Sequence, residues 1–313
     1  MDIFITSFES VAVLLVIGFL GFWIIKRDLF PGTVLKFLSP LAIDIALPCL
    51  VFFSIITNFS PEKTAGWWQL PICWLLFTAV SFPLSIIAGF VSQKNTRSEF
   101  TLSLFYQNGI FLPLVIIGGL FGDNSAYLVY LFLFTMFFPG FFFSTYHFFF
   151  GKKDHFLNWK KIVNPVLIAS LVAVFIRYVG AHDYIPRFII SSIRLVGGMA
   201  IPSLLIIIGG NIYIDFQKKG TLYIREVVKF VFIKNLLFPL VFFSILILFR
   251  PSYSIALIIL LESAVPPITA VPIVTERAGG NYNIVNQFVV ASFVFSLFSI
   301  SLMVMLFSMY FTP

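Results

Sequence analysis

Apolar runs of about 20 residues follow one another along this whole chain, and that leaves it one kind of solvent to fold in. Hydrophobic residues make up 60% of the 313 residues and charged residues only 11%. A soluble domain does not carry that balance. The runs predict an all-α integral membrane protein with ten spans, at about 4–25, 33–58, 66–91, 96–120, 124–150, 161–180, 184–212, 222–249, 252–276 and 283–311. A membrane β-barrel is disfavoured, because the runs are continuous rather than alternating. The first run is too long for a signal-peptide core and others follow it, so it reads as a retained span. Cys49 and Cys73 both fall inside apolar runs and suggest no disulfide framework.

The basic residues sit in short loops, so the net charge of +7 does not point to nucleic acid. Fourteen Lys and Arg residues flank the odd-numbered loops, among them Lys36, Lys152, Lys153 and Arg277. Four flank the even-numbered ones: Lys63, Arg177, Arg187 and Arg250. That bias puts the odd loops in the cytoplasm and both termini outside. The longest hydrophilic loop, 151–160, divides the chain into two five-span halves, 1–150 and 161–313. An odd number of spans in each half makes the halves inverted relative to one another.

Two spans are interrupted at corresponding places. The fourth carries Gln107-Asn108-Gly109-Ile110-Phe111-Leu112-Pro113, and the ninth carries Ala264-Val265-Pro266-Pro267-Ile268-Thr269-Ala270-Val271-Pro272. Pro113 and Pro272 lie 159 residues apart; Pro48 and Pro202, in the second and seventh spans, lie 154 apart. Proline deletes a backbone donor and clashes with the preceding turn. Opened backbone at membrane depth is tolerated only where protein or a water-filled cavity satisfies it. Paired interruptions of this kind point to the binding site of a secondary transporter. Helices 4 and 9 are therefore expected to be broken and to cross.

Polar groups inside the spans are the remaining candidates, since a charge at a span centre costs about 3 kcal/mol on insertion scales. Asp44 stands one turn before Pro48: it is either a coupling carboxylate or half of a structural ion pair. Arg194 either anchors an anionic substrate or pairs and snorkels. Glu262, four residues before Pro266, is either a proton-coupling acid or a hydrogen-bonded filler of the break; its counterpart in the first half is Ser103. Lys234 is a candidate partner for Glu262. Asn108 offers an amide donor and acceptor, and Gly109 lets a ligand approach the backbone. Gly-Gly pairs at 197–198 and 209–210 read as close helix contacts rather than phosphate cradles. No P-loop, dinucleotide or nucleophile-elbow motif and no metal-ligand spacing is present, so an enzyme is not expected. The 42 Phe residues read as lipid-facing and interfacial bulk.

Taken together, Asn108-Gly109 followed by Leu112-Pro113, the stretch Leu47-Pro48-Cys49-Leu50-Val51-Phe52, and Asn164-Pro165 resemble the auxin efflux carrier family. That family of membrane transport proteins includes bacterial malate and malonate permeases as well as plant auxin exporters. The resemblance implies a bile-acid-symporter-like fold of two inverted five-helix repeats. It implies a panel domain of helices 1, 2, 6 and 7 that dimerises, and a core domain of helices 3–5 and 8–10 that moves against it like an elevator. It places Asn108 and Pro113 in the first crossover and Pro267 and Pro272 in the second. The short central loop differs from the long one of many plant exporters and favours a microbial member.

The expected function is secondary transport of small organic anions such as carboxylates across the plasma (inner) membrane. Substrate would be held by Asn108, Gly109, Pro113, Pro267, Pro272 and Arg194. Asp44 and Glu262 would couple protons or sodium, with no other cofactor. The expected partners are that anion, the bilayer and a second copy of the chain. The alternatives are a sodium- or proton-coupled cation exchanger on the same fold and, less well supported, a non-transporting membrane sensor.

Overall fold

The computed structural model describes residues 2–62, 66–122, 125–151, 164–217 and 221–312. Apart from Gly151, the central connector 151–160 lies outside the described residues, as do Lys63, Lys161, Lys218 and Lys219.

Regular structure among the described residues is helical. In order come α1 (Asp2–Lys26), α2 (Val34–Asn58), α3 (Gln69–Gly89), α4 (Arg97–Phe105), α5 (Phe111–Phe121), α6 (Ala126–Phe150) and α7 (Pro165–Tyr178). Then follow α8 (Arg187–Gly198), α9 (Ala200–Gln217), α10 (Ile224–Phe249), α11 (Tyr253–Ala264), α12 (Val271–Arg277) and α13 (Tyr282–Tyr310). Among the described residues, six stretches are long and apolar enough to cross a bilayer by themselves: α2, α3, α6, Arg187–Ile214 across α8 and α9, α10 and α13.

The fourth and ninth apolar runs are each split into two short helices. Helices α4 and α5 have 9 and 11 residues, and α11 and α12 have 12 and 7. At 1.5 Å per residue each pair adds up to about 30 Å, one hydrocarbon thickness, with the break inside it. The prolines shape these breaks differently from the expectation. Pro113 and Pro272 do not open a helix. They lie in the first turns of α5 and α12, where the missing N–H has no intrahelical partner to lose.

Prolines elsewhere act as expected. Pro48 cannot donate to the carbonyl four residues back, that of Asp44, and the turn Leu41–Ala46 widens to a π-helix. Pro239 stands in the same relation to Asn235, inside the π turn Ile233–Leu237. Pro202 lies just after the interruption at Met199 that separates α8 from α9.

Helices α1, α2, α7, α8 and α9 pack on one another, with α1 lying along α9. The contact is backbone on backbone. A Cβ at Gly209 would fall 2.6 Å from the carbonyl carbon of Gly18, and one at Gly21 would fall 2.7 Å from Ile206 Cα. Gly197 of α8 meets Leu50 of α2 in the same way, at 2.8 Å. Where lipid is as apolar as leucine, such close approach is what draws helices together. Helices α3, α4, α5, α6, α10, α11, α12 and α13 form a second set of contacts, joined to the first chiefly through α1 against α5 and α13.

Phenylalanine is not only lipid-facing bulk. Phe100, Phe134, Phe142, Phe230 and Phe288 are fully buried, while Phe37, Phe175, Phe188 and Phe249 face outward. Phe230 stacks on Phe288 at 4.4 Å, and Phe100 meets both edge-on. A buried seam of rings thus fixes α4 against α10 and α13.

A methyl at Gly209 has to displace main chain, whereas one at Gly198 has open space around it. Gly209→Ala is expected to destabilise the protein by about 3 kcal/mol and Gly198→Ala by less than about 1 kcal/mol. Thermal unfolding of the two purified variants in one detergent measures the difference.

Candidate functional site

The site is built where the two broken runs meet. Helix α4 ends at Phe105 and α5 begins at Phe111; α11 ends at Ala264 and α12 begins at Val271. The unwound stretches between them lie antiparallel, with Gln107 paired to Pro267. Asn108 N–H donates to the Pro266 carbonyl at 2.8 Å, and Ile268 N–H donates to the Tyr106 carbonyl at 2.9 Å. Each stretch thereby supplies one donor and one acceptor to the other, without a helix or a sheet. A third bond, from Gly109 N–H to the Gln107 carbonyl at 2.9 Å, tightens the first stretch into a turn.

A cavity of about 620 Å³ opens on this crossing. Its floor includes Asn108, Gly109, Ile110, Ile268, Thr269 and Ala270. Its walls come from α2, α6, α9, α12 and α13, with apolar surface from Leu47, Phe138, Phe142, Ile207 and Ile273. Lys36, Asp44, Glu276 and Arg277 bring two charges of each sign to the walls, and Asn164, Asn211 and Asn286 add amides. A mostly apolar cleft with a few convergent polar groups is what a small-molecule site requires.

Asn108 is the exceptional side chain on that floor. It is 1% exposed, and neither its amide nitrogen nor its amide oxygen has a hydrogen-bond partner. Buried polar atoms are paired in the great majority of cases, and this amide has no protein partner as donor or as acceptor. Close by, the 11-residue helix α5 starts at Phe111, which lines the same cavity together with Ile110. Such a helix start is partly positive and favours an anion.

Behind the floor lies Glu262. Its carboxyl group is fully buried and does not line the cavity. Oε2 accepts from Gln107 Nε2 at 3.4 Å, and Oε1 has no hydrogen-bond partner. Lys234, in the π turn of α10 and 1% exposed, interacts with Glu262 electrostatically without reaching ion-pair distance; its ammonium lies 5.1 Å from the centre of the Phe238 ring. Its neighbour Asn235 is bonded to α13: Ser292 Oγ donates to Oδ1 at 2.6 Å, and Nδ2 donates to the Ser292 carbonyl at 3.1 Å.

The sequence-predicted residues divide accordingly. Asn108, Gly109 and Pro272 come together on the cavity, and Asp44 reaches it from the wall, where it is exposed on the π turn. Pro113 and Pro267 are buried off the cavity surface, Pro267 in the crossing and Pro113 inside α5. Arg194 is exposed on α8, its guanidinium 5.9 Å from the centre of the Phe53 ring, and it does not line the cavity. Sequence reasoning passed over Gln107, although it adjoins Asn108. It also left Glu276 at the end of the ninth span and Arg277 in the loop that follows, whereas the fold turns both toward the cavity.

These features define a multi-pass membrane protein with a substrate-sized cleft at a crossing of two broken helices. The chain belongs to the family described as membrane transport protein, matched over residues 6–155 and 149–304, as the resemblance to auxin efflux carriers led one to expect. It is also similar to a protein of Saccharomyces cerevisiae named uncharacterized transporter YBR287W, with 35% identity over 75 residues. That alignment spans 24% of this chain and 18% of the yeast protein.

The two buried asparagines should behave oppositely. Asn235→Ala breaks satisfied bonds between α10 and α13 and is expected to cost about 1–2 kcal/mol. Asn108→Ala removes an amide with no protein partner and is expected to leave the melting temperature unchanged or raised. Melting curves of the two variants, recorded without added ligand, decide the point.

Proposed function

We propose that this protein is a secondary active transporter of small organic anions such as carboxylates, working by alternating access with its binding site at the crossing. The observation that carries the reading is Asn108: a buried amide, open as donor and as acceptor, on the floor of a cavity lined by the start of α5. A carboxylate placed there accepts from Nδ2 and from the first N–H groups of α5. A hydroxyl or protonated carboxyl on the same molecule donates to Oδ1. Thr269 and the amides of Asn211 and Asn286 give further polar contacts along the cavity.

In this reading the chain crosses the plasma membrane ten times as two inverted five-helix repeats, with both termini outside. The cavity lies near residues that flank odd-numbered loops, such as Lys36, Asn164, Arg277 and Tyr282, and with those loops cytoplasmic it faces inward. Helices α1, α2 and α7–α9 act as the panel, which also pairs two copies, and the remaining helices form the core that carries the crossing past it. Glu262 is the proton-coupling acid, held in the moving core, and Asp44 lines the path from the panel side. Exposed beside Phe53, Arg194 adds nothing to the cavity wall, and the anion is held by amides and helix ends instead.

Sodium- or proton-coupled cation exchange is the second reading, favoured by one observation: Glu262 Oε1 is buried beside the crossing without a partner. Proteoliposome fluxes separate the two. Organic-anion transport predicts saturable uptake of at least one labelled mono- or dicarboxylate from a panel, driven by a pH gradient. Asn108→Ala should reduce that uptake by about tenfold or more, as expected when a buried polar contact is lost. Robust cation exchange with no carboxylate flux would replace the first reading by the second. Glu262→Gln, which fixes the group in its neutral form, should leave an uptake that no longer varies with pH.

A further inference from the structure

We infer that Glu262 exchanges its proton with the cavity across Gly109, and that the missing side chain of Gly109 is what makes this exchange possible. This deepens the reading of Glu262 as the coupling acid and rests on it. The steric observation is direct. A Cβ built on Gly109 would fall 2.9 Å from Glu262 Oε1 and 3.0 Å from its carboxyl carbon, closer still to Oε2. Gly109 also lines the cavity, and Glu262 does not. One α-carbon therefore separates a fully buried carboxyl group from the solvent-accessible floor.

Glycine is not required at this position by its backbone. The glycines with positive φ are 122, 151, 180 and 279. Residue 109 is outside that set, so an L side chain is excluded there by space and not by conformation. The equivalent place in the other broken run is filled differently. Thr269, which follows the bonded Ile268 as Gly109 follows the bonded Asn108, carries a side chain, and Ser103, the counterpart of Glu262, is short. The glycine of the first break lies against the acid of the second run, and the corresponding positions hold Thr269 and Ser103.

Gln107 completes the arrangement. Its Nε2 donates to Oε2, and its carbonyl accepts from Gly109 N–H, so one residue is tied to both the acid and the floor. With Oε2 engaged, Oε1 is the free site for a proton. The step is a simple transfer: hydronium at the cavity floor gives up a proton and becomes water, the carboxylate takes that proton on Oε1 when the group moves past Gly109 toward the floor, and the reverse returns it. Lys234 on α10 is the charged group that acts on Glu262 from the other side, and Gln107 is the polar group facing it from the first break. Gly109 and Gln107 are positioning residues in this scheme; neither carries the proton.

Infrared difference spectroscopy of the purified protein follows the proton without any substrate. The protonated carboxyl band of Glu262 is the band lost in Glu262→Gln, and transfer to heavy water shifts it as the proton is replaced. In the unmodified protein that band should exchange rapidly, and in Gly109→Ala at least tenfold more slowly. Gly198→Ala is the control, with exchange as in the parent. Should Gly109→Ala not fold, Gln107→Met serves instead: loss of the donor should raise the frequency of the Glu262 band, while Ser103→Ala leaves it in place. Exchange in Gly109→Ala as fast as in the parent, or an unshifted band in Gln107→Met, overturns the inference. So does a Glu262 band that fails to exchange in the parent. The coupling role itself is tested separately by the pH dependence of uptake in Glu262→Gln, so a failure there is distinguishable from a failure here.

Discussion

Two backbone hydrogen bonds, Asn108 N–H to the Pro266 carbonyl and Ile268 N–H to the Tyr106 carbonyl, hold this structure's functional centre together. Ten or so unwound residues lie buried among helices, where each unpaired backbone group would cost several kcal/mol in hydrocarbon. The two bonds satisfy a donor and an acceptor on each stretch. They also fix where α5 and α12 start, and so where the floor of the cavity lies and which way Asn108 points. Breaking either would expose polar backbone and release Gly109 from its contact with Glu262. The open amide and the acid both depend on this crossing.

The prolines explain why the second run opens and where both helices restart. Pro266 and Pro267 together remove two donors and bar α11 from continuing, while Pro272 and Pro113 favour a fresh start. The two breaks are not copies. From Phe105 to Ala264 the offset is 159 residues, but the bonded residues Asn108 and Ile268 are 160 apart. The second break thus holds one more residue than the first between its helix end and its bond. The prolines of the two halves keep the 159 spacing, so Pro113 is the third residue of its helix and Pro272 the second. A one-residue slip changes which side chains face the cavity.

Much of this was legible in the sequence because the relevant signals are local. Length and hydropathy mark the helical runs, and the spacing of Asn108-Gly109, Pro113, Pro267 and Pro272 marks the crossing. The glycines that bring α1 against α9 were readable as packing residues for the same reason. What was not legible depends on side-chain direction in three dimensions. Arg194 and Asp44 look equally buried in an apolar run, but Arg194 turns outward beside Phe53 while Asp44 lies on the cavity wall. The π turn at Asp44 rotates the helix locally, and a regular 3.6-residue pattern cannot anticipate that rotation. Gln107 went unnoticed because its role is a contact with a residue 155 positions away.

The asymmetry of the crossing has a physical reason of its own. Positions 103 and 262 correspond in the spacing of the sequence, and an acid could have stood at both. Two carboxylates buried on opposite sides of one crossing would repel, and neither could be charged cheaply in so low a dielectric. A single acid instead meets a group of opposite sign, Lys234, in electrostatic reach. The glycine at 109 then has a steric reason: the Glu262 carboxyl group occupies the space that a side chain would need. The backbone there would accept an L residue, so it is the buried acid that excludes one.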